Sequence, residues 1–415
     1  MFKKIFKFSK EEVVKGSLIL FVMINVFNFL NYVFHFSMAR MLKSENYGIL
    51  AVLMSIVYIF SIPAEGIQTI ISRYTSTYNI KQEYGKIKYL LFKSIRKIGI
   101  ISIFLFLAYV PTALILGYFT KINSSLIAFT GILIFGILII PVTRGVLQGR
   151  KKFKSLGWNM IFESIFKLAL AVIFVLLGFK VYGAISGVIL GLLLALLFSF
   201  FLIKEVLNAE IKKTKIEKIY SYSFPVFIVM FTVIFMVSID IILARAFFPA
   251  DLAGKYAVAS MLGKMIFFGT AGISKAMFPL ASESYDKKQG TGKIFKKSFF
   301  LVFLACLVAV LIFLFFPKLI VGILFGKEYV EISNILIFVG LGFSFLSLSN
   351  LSLIYSLSMH KKRISFFVLF ILLEILILSF FSSSLLKFSI GFMTINFIMF
   401  IVSLVFAVRK KGIER

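Results

Sequence analysis

The sequence predicts an all-α membrane protein, with twelve transmembrane helices in two six-helix bundles related by a parallel pseudo-two-fold repeat. Three observations predict it. Residues of the set AVILMFWYC fill 60% of the 415 positions and charged residues only 15%, against about 45–50% and about 25% in soluble domains. Apolar runs of about 20 residues recur from end to end, each long enough at about 1.5 Å per residue to cross about 30 Å of hydrocarbon. Finally, two polar decapeptides half a chain apart repeat one another: YNIKQEYGKI at 78–87 and YDKKQGTGKI at 285–294 share six identities.

Lipid offers no hydrogen bonds to a bare backbone, so each apolar run is read as a helix. In order, the cores are Val13–Met38, Tyr47–Ile71, Ile98–Gly117, Leu126–Val146, Leu156–Leu177, Val181–Ile203, Phe224–Leu243, Tyr256–Pro279, Phe299–Phe316, Ile332–Leu357, Ile364–Leu385 and Phe388–Val408. The first follows a basic amino terminus, as a signal peptide would, but is too long for a typical signal core and is read as a retained span. At 100° per residue, Asn25, Asn28, Asn31 and His35 fall within about 120° of one another on this span. That polar face should meet either another helix or a wet cavity. No metal role is expected of His35, because the other histidine, His360, belongs at the inner membrane edge.

The second span starts near Glu45 and Gly48, where a carboxylate favours the helix's positive end, and it carries Glu65. In the fifth, Glu163 lies one turn before Lys167, so an intrahelical ion pair is feasible and mutual neutralisation is the bland alternative. Gly183, Gly187 and Gly191 in the sixth make overlapping G-x-x-x-G spacings, a close-packing face. The seventh carries Asp240. The eighth starts near Asp251 and Gly254 and carries Lys264 about 15 Å deep at helical rise. No acid lies within four residues of Lys264, so its partner must come from another helix or from a ligand. Cys306 in the ninth span is the one cysteine of the sequence, which excludes an internal disulfide. Glu374 lies in the eleventh. Intramembrane charges are costly enough to be functional candidates; Glu65, Glu163, Asp240 and Glu374 form the coupling or charge-pairing set.

A formal charge of +29 in a soluble chain would suggest a nucleic-acid partner. Its distribution argues otherwise. With the amino terminus cytoplasmic, 35 of the 46 Lys and Arg fall in inside segments and nine in outside turns, Lys167 and Lys264 lying within spans. That is the positive-inside bias, and it puts both termini in the cytoplasm and the chain in the cell membrane. The surplus also attracts anionic membrane lipids. No nucleic acid, cofactor or metal is expected as a partner.

The repeat extends beyond the decapeptide. ARMLKSENYGILAV at 39–52 is matched by ARAFFPADLAGKYAV at 244–258, aligning Arg40 with Arg245, Glu45 with Asp251 and Gly48 with Gly254. Six spans per unit is an even number, so both units enter the membrane from one side. The expected domains are 1–210 and 211–415. Parallel repeats are used by transporters with substrate between them; a bland duplication would leave the same trace. Enzymatic chemistry finds little support, for there is no G-x-x-x-x-G-K-[ST], no H-E-x-x-H and no cysteine cluster.

The stretches LKSENYGILAVLMSI and, from Arg144 to Gly178, RGVLQGRKKFKSLGWNMIFESIFKLALAVIFVLLG resemble the polysaccharide transporter (oligosaccharide flippase) family of the multidrug and oligosaccharidyl-lipid flippase superfamily. The resemblance covers most of the chain and rests on the order of several weak motifs. It implies a V-shaped pair of bundles that moves lipid-linked oligosaccharide from the cytoplasmic to the outer leaflet, with glycan-assembly proteins as possible partners. Gln148, Gly149, Glu163 and Lys167 carry over as pattern matches. On this picture Lys264 and Lys167, with Arg40 and Arg245 at the outer mouth, meet phosphates, and Asn25, Asn28, Asn31 and His35 suit sugar hydroxyls. Two rivals stand beside it: a cation-coupled drug exporter of the same superfamily, and a non-transporting scaffold or integral glycan enzyme.

Overall fold

The computed structural model describes residues 10–214, 224–287, 290–361 and 364–409. Outside them lie Lys3, Lys4, Lys7, Lys215, Lys218, Lys288, Gln289, Lys362, Arg363, Lys410, Lys411 and Arg415 of the basic segments and the repeat. The described residues are helical almost throughout: α1 (Lys10–Phe60), α2 (Ile62–Ile80), α3 (Tyr84–Thr120), α4 (Ser124–Thr130), α5 (Leu133–Gly149), α6 (Phe153–Phe174), a π turn (Val175–Phe179), α7 (Lys180–Leu202) and α8 (Lys204–Leu207). Then follow α9 (Phe224–Phe247), α10 (Ala250–Asp286), α11 (Gly292–Phe315), α12 (Pro317–Leu324), a 3-10 turn (Lys327–Asn334), α13 (Leu336–Ser358), a second 3-10 turn (Ile364–Val368), α14 (Leu369–Phe380) and α15 (Leu385–Val408).

Nine continuous helical stretches of the described residues are long and apolar enough to cross a membrane. Two of them are interrupted by non-helical backbone, at Lys43 in α1 (φ 61°) and at Gly178 (φ 91°) between α6 and α7. Divided there, and with the shorter apolar helix Ile364–Phe380 added, they make the twelve apolar segments read from the sequence. Glycine suits the break at 178, since a side chain at that positive φ would be strained.

Contacts divide the chain into two compact units that do not follow chain order. One gathers the described residues up to Leu42 and from Phe60 to Thr214; the other joins Lys43–Ile59 to the described residues from Phe224 on. The segment 43–59 belongs to the carboxy-terminal helices because of one close crossing. A Cβ added at Gly48 would sit 2.8 Å from the Cα of Gly254, its repeat equivalent, and one added at Gly254 would sit 1.8 Å from the backbone oxygen of Ser44. Only two glycines let backbones approach so closely. The Ser44 hydroxyl bonds the Asp251 carboxylate, the Ser44 N–H donates to Glu328 Oε1 at 3.0 Å, and Tyr47 is fully buried with its ring beside Phe325 and Tyr329.

In the first unit the G-x-x-x-G face of α7 packs on α6 as its spacing predicts. Cβ atoms at Gly187 and Gly191 would fall 2.4 Å from the Ala171 nitrogen and 2.7 Å from the Lys167 nitrogen. The repeated decapeptide finds its use here too. Gly85 O accepts from Lys212 N at 3.1 Å, Lys88 Nζ donates to Ala209 O at 3.0 Å, and Tyr78 OH lies 3.3 Å from Thr214 Oγ1. The segment after α8 is thereby docked on the start of α3, with no room at Gly85 for a side chain. Glu205 of α8 bonds Arg150 and, at 2.9 Å, Lys152. Those two bonds pull its carboxyl down to about 2. In the second unit the corresponding loop packs differently: the Tyr285 ring lies 6.0 Å from that of His360, and Thr291 Oγ1 lies 2.7 Å from Tyr355 OH.

Candidate functional site

Each unit holds a buried charged cluster built on one helix face of i, i+4, i+8 spacing. In the first unit that face is Asn159, Glu163 and Lys167 of α6. Lys167 is 9% exposed; its ammonium donates to Asn31 Oδ1 of α1 and lies 4.7 Å from the Phe34 ring centre. Asn31 is held from its other side, its amide donating to Phe27 O at 2.8 Å and to Ser164 Oγ at 3.3 Å. The Glu163 carboxylate turns to α5, where Arg144 Nη2 donates to it at 2.5 Å. Arg144 Nε donates to Asn159 Oδ1 at 2.8 Å, and Asn159 Nδ2 to Ala195 O of α7 at 2.7 Å. Nearby, Gln68 of α2 donates to Gln148 at 2.8 Å.

In the second unit the face is Tyr256, Ser260 and Lys264 of α10, and it meets Asp240 of α9. Asp240 is wholly buried; its Oδ2 accepts from Ser260 Oγ at 2.5 Å and from Tyr256 OH at 3.3 Å. Lys264 is 1% exposed, 4.0 Å from Asp240 Oδ1, 3.3 Å from Ser55 Oγ and 6.0 Å from the Tyr58 ring centre. Glu374 of α14 is fully buried within electrostatic reach of Asp240, and neither of its oxygens has a hydrogen-bond partner among the described residues. Asn396 of α15 donates to Phe392 O at 2.9 Å and leaves its own oxygen unbonded among them.

Counted by formal charge, the two clusters differ in sign. Arg144 and Lys167 against Glu163 leave one cation over; Asp240 and Glu374 against Lys264 leave one carboxylate over. Taking an ion out of water costs several kcal/mol unless it is paired, so the first cluster suits an anion and the second a proton or a monovalent cation.

Of the residues singled out by sequence, Asn31 and Lys167 meet, as do Asp240 and Lys264, with Glu374 near. The Glu163–Lys167 pair that the spacing makes feasible is not closed to ion-pair distance: Arg144 takes the carboxylate, its planar fork reaching Glu163 while bonded to Asn159, and Glu163 acts on Lys167 only from farther off. Lys264 does find its partner on another helix, but deep inside the second unit rather than facing open space. Arg245 is buried at 6% with Glu45 acting on it electrostatically, whereas Arg40, Asn25 and Glu65 are exposed, Asn28 half-buried and His35 buried beside Phe34. Sequence reasoning passed over Arg144, Asn159, Tyr256 and Ser260. For Asn159, Tyr256 and Ser260 the signal was present as polar residues every fourth position on α6 and α10.

A chain of this kind, with membrane-spanning helices in two compact units that each hold a dry charged cluster, is a multi-pass membrane protein of two-lobed repeat fold. It belongs to the polysaccharide biosynthesis protein family, whose model matches residues 13–285. It is 25% identical over 273 residues to an uncharacterised membrane protein of Methanocaldococcus jannaschii, a match that spans 61% of this chain and 64% of that relative's length. Its fold is similar to that of a multidrug resistance MATE family transporter of the MOP superfamily in an inward-facing conformation (TM-score 0.75, 15% identity, 94% of this chain and 97% of that one). It is similar too to the lipid II flippase MurJ (0.68, 16%, 96% and 88%) and to a MOP superfamily transporter from Pyrococcus furiosus (0.64, 16%, 96% and 95%). The family read from the sequence and the fold class are thereby borne out.

Proposed function

We propose that the protein is a flippase that moves polyprenyl-phosphate-type, lipid-linked oligosaccharide across the cytoplasmic membrane for surface polysaccharide biosynthesis, by alternating access and without enzymatic chemistry. The observation that carries this reading is Lys167, a buried ammonium whose described partners are the neutral Asn31 amide and the Phe34 ring. A buried cation with no carboxylate within ion-pair distance among the described residues, Glu163 acting on it only from farther off, is a functional group by default. Its complement is an anion that must enter a low-dielectric interior, which describes the head of a phosphate-linked sugar; the apolar tail need not leave lipid. Asn31, with Asn25, Asn28 and His35, serves the sugar hydroxyls, and Arg40 is a further cation for the phosphates, whereas Lys264 and Arg245 are buried inside the second unit with Asp240 and Glu45 acting on them. Membership of the polysaccharide biosynthesis family and a fold similar to that of the flippase MurJ support the reading.

Coupling is assigned to Asp240 and Glu374, the excess carboxylates of the second unit, with Glu65 and Glu163 as secondary acids. The same excess favours a second reading, a cation-coupled exporter of multiple drugs. Deleting the gene separates the two. Loss of surface glycan with accumulated lipid-linked precursor supports the flippase, and altered drug tolerance with normal glycan supports the exporter. In reconstituted vesicles Lys167→Ala should lower flipping of a lipid-linked sugar at least about tenfold, the effect of about 1.4 kcal/mol. Unchanged flipping by a correctly inserted variant would remove Lys167 from the site.

A further inference from the structure

We infer that Arg144 is a positioning residue, which keeps the Lys167 ammonium available to an anion by holding the Glu163 carboxylate away from it. The inference rests on the proposed anion-binding role of Lys167.

Glu163 and Lys167 lie one turn apart on α6, with the acid nearer the amino end, the favoured order for an intrahelical pair. In a dry interior that pairing should be stronger than in water. The structure shows the acid elsewhere, bonded to Arg144 Nη2 at 2.5 Å. Arg144 is only 8% exposed and is itself anchored: Nε donates to Asn159 Oδ1 at 2.8 Å, and the wholly buried Asn159 donates to Ala195 O at 2.7 Å. Next to it Thr143 accepts from Ser199 Oγ at 2.8 Å, joining α5 to α7. The guanidinium is therefore anchored to α6, and through Asn159 to α7, by bonds other than the one to Glu163. A rigid planar fork bonds an amide oxygen and a carboxylate at once, which a point-charge ammonium does less well.

The consequence falls on Lys167. Among the described residues no carboxylate lies within ion-pair distance of its ammonium, which contacts Asn31 Oδ1 and the Phe34 ring instead. Asn31 is turned so that its oxygen, and not its amide, faces the lysine, because the amide is committed to Phe27 O and Ser164 Oγ. By formal charge, Lys167 is thus the cluster's one cation without a carboxylate at ion-pair distance among the described residues, Glu163 acting on it only from farther off.

The test is binding of a short polyprenyl diphosphate to the purified full chain in lipid nanodiscs. Arg144→Leu frees Glu163 to capture Lys167 and should weaken binding about tenfold, since a paired ammonium has lost most of its attraction for phosphate. Arg144→Leu combined with Glu163→Gln has no carboxylate to release, and should recover binding to within about threefold of the parent. Parent-like binding by Arg144→Leu, or a double variant as weak as the single one, overturns the inference, because a merely structural role for Arg144 predicts no rescue. Should Arg144→Leu fail to fold, Arg144→Gln and its combination with Glu163→Gln give the same comparison with an amide donor kept at position 144. Should the parent itself not bind the probe, the flippase reading fails separately. The inference is then decided by an experimental structure of the Arg144 variant: Glu163 within about 4 Å of Lys167 Nζ upholds it, and Glu163 left in place overturns it.

Discussion

Replacing Asp240 by Asn leaves the shape of the second cluster intact and removes one charge. The Lys264 ammonium, 1% exposed and 4.0 Å from Asp240 Oδ1, then loses its counter-charge at ion-pair distance. At that separation and an effective dielectric near 20 the attraction is about 4 kcal/mol, and breaking one side of a buried pair typically costs about 3–5 kcal/mol. Glu374, within electrostatic reach of the same cluster, offers partial compensation, so the expected loss is about 3 kcal/mol. Lys264→Met should be destabilising too, because it leaves two dry carboxylates together. The double variant removes both faults. Its destabilisation should fall short of the sum of the singles by about 2 kcal/mol, as coupled residues in one network do. Denaturation of the purified protein in mixed micelles measures all three. Additivity within about 0.5 kcal/mol would refute the pairing and the charge count built on it.

Gly254→Val should detach the segment 43–59 from its helices, because a Cβ there would fall 1.8 Å from the Ser44 backbone oxygen. Overpacking costs about 1–3 kcal/mol where side chains must yield and more where backbone must; a crosslink between cysteines placed at Ser44 and Glu328 should form in the parent and fail in the variant. The Glu205 carboxyl sits at about 2 instead of 4.5, lowered by its bonds to Arg150 and Lys152. A depressed folded value means that its contribution is complete above about pH 4.5 and is lost as pH falls through 2. It is also modest, since the side chain is 53% exposed and screened. Proteolysis of the segment after α8 should accordingly speed up on acidification from pH 5 to pH 3 in the parent, whereas Glu205→Gln should be cut faster at pH 5 already, with little further change; identical profiles would remove Glu205 from the dock.

Much of this architecture was legible because lipid imposes a simple rule. Any run that crosses hydrocarbon must be apolar and helical, so the spans announce themselves. The duplicated motifs carried the repeat for a similarly local reason, since Gly48 and Gly254 occupy a crossing that leaves no room for a side chain. The clusters were only half legible. Lys167, Lys264, Asp240 and Glu374 stood out as charges in apolar runs. Arg144 did not, because it lies near the end of its span and looked like one more cation of a basic loop. Its role depends on Asn159 and Ala195, brought beside it by the packing of α6 on α7.

What the amino-acid order determined alone is therefore what depends on composition and short spacing: helices in a membrane, their number, their duplication and which positions carry an expensive charge. Which acid answers which base belongs to tertiary structure. Glu163 is the helical neighbour of Lys167 and yet bonds Arg144, while Lys264 waits for Asp240 from a helix that the sequence leaves at an unknown angle. Partner choice among buried ions follows distances of a few ångströms across helix contacts, where the low dielectric makes each one decisive, and no linear spacing encodes them.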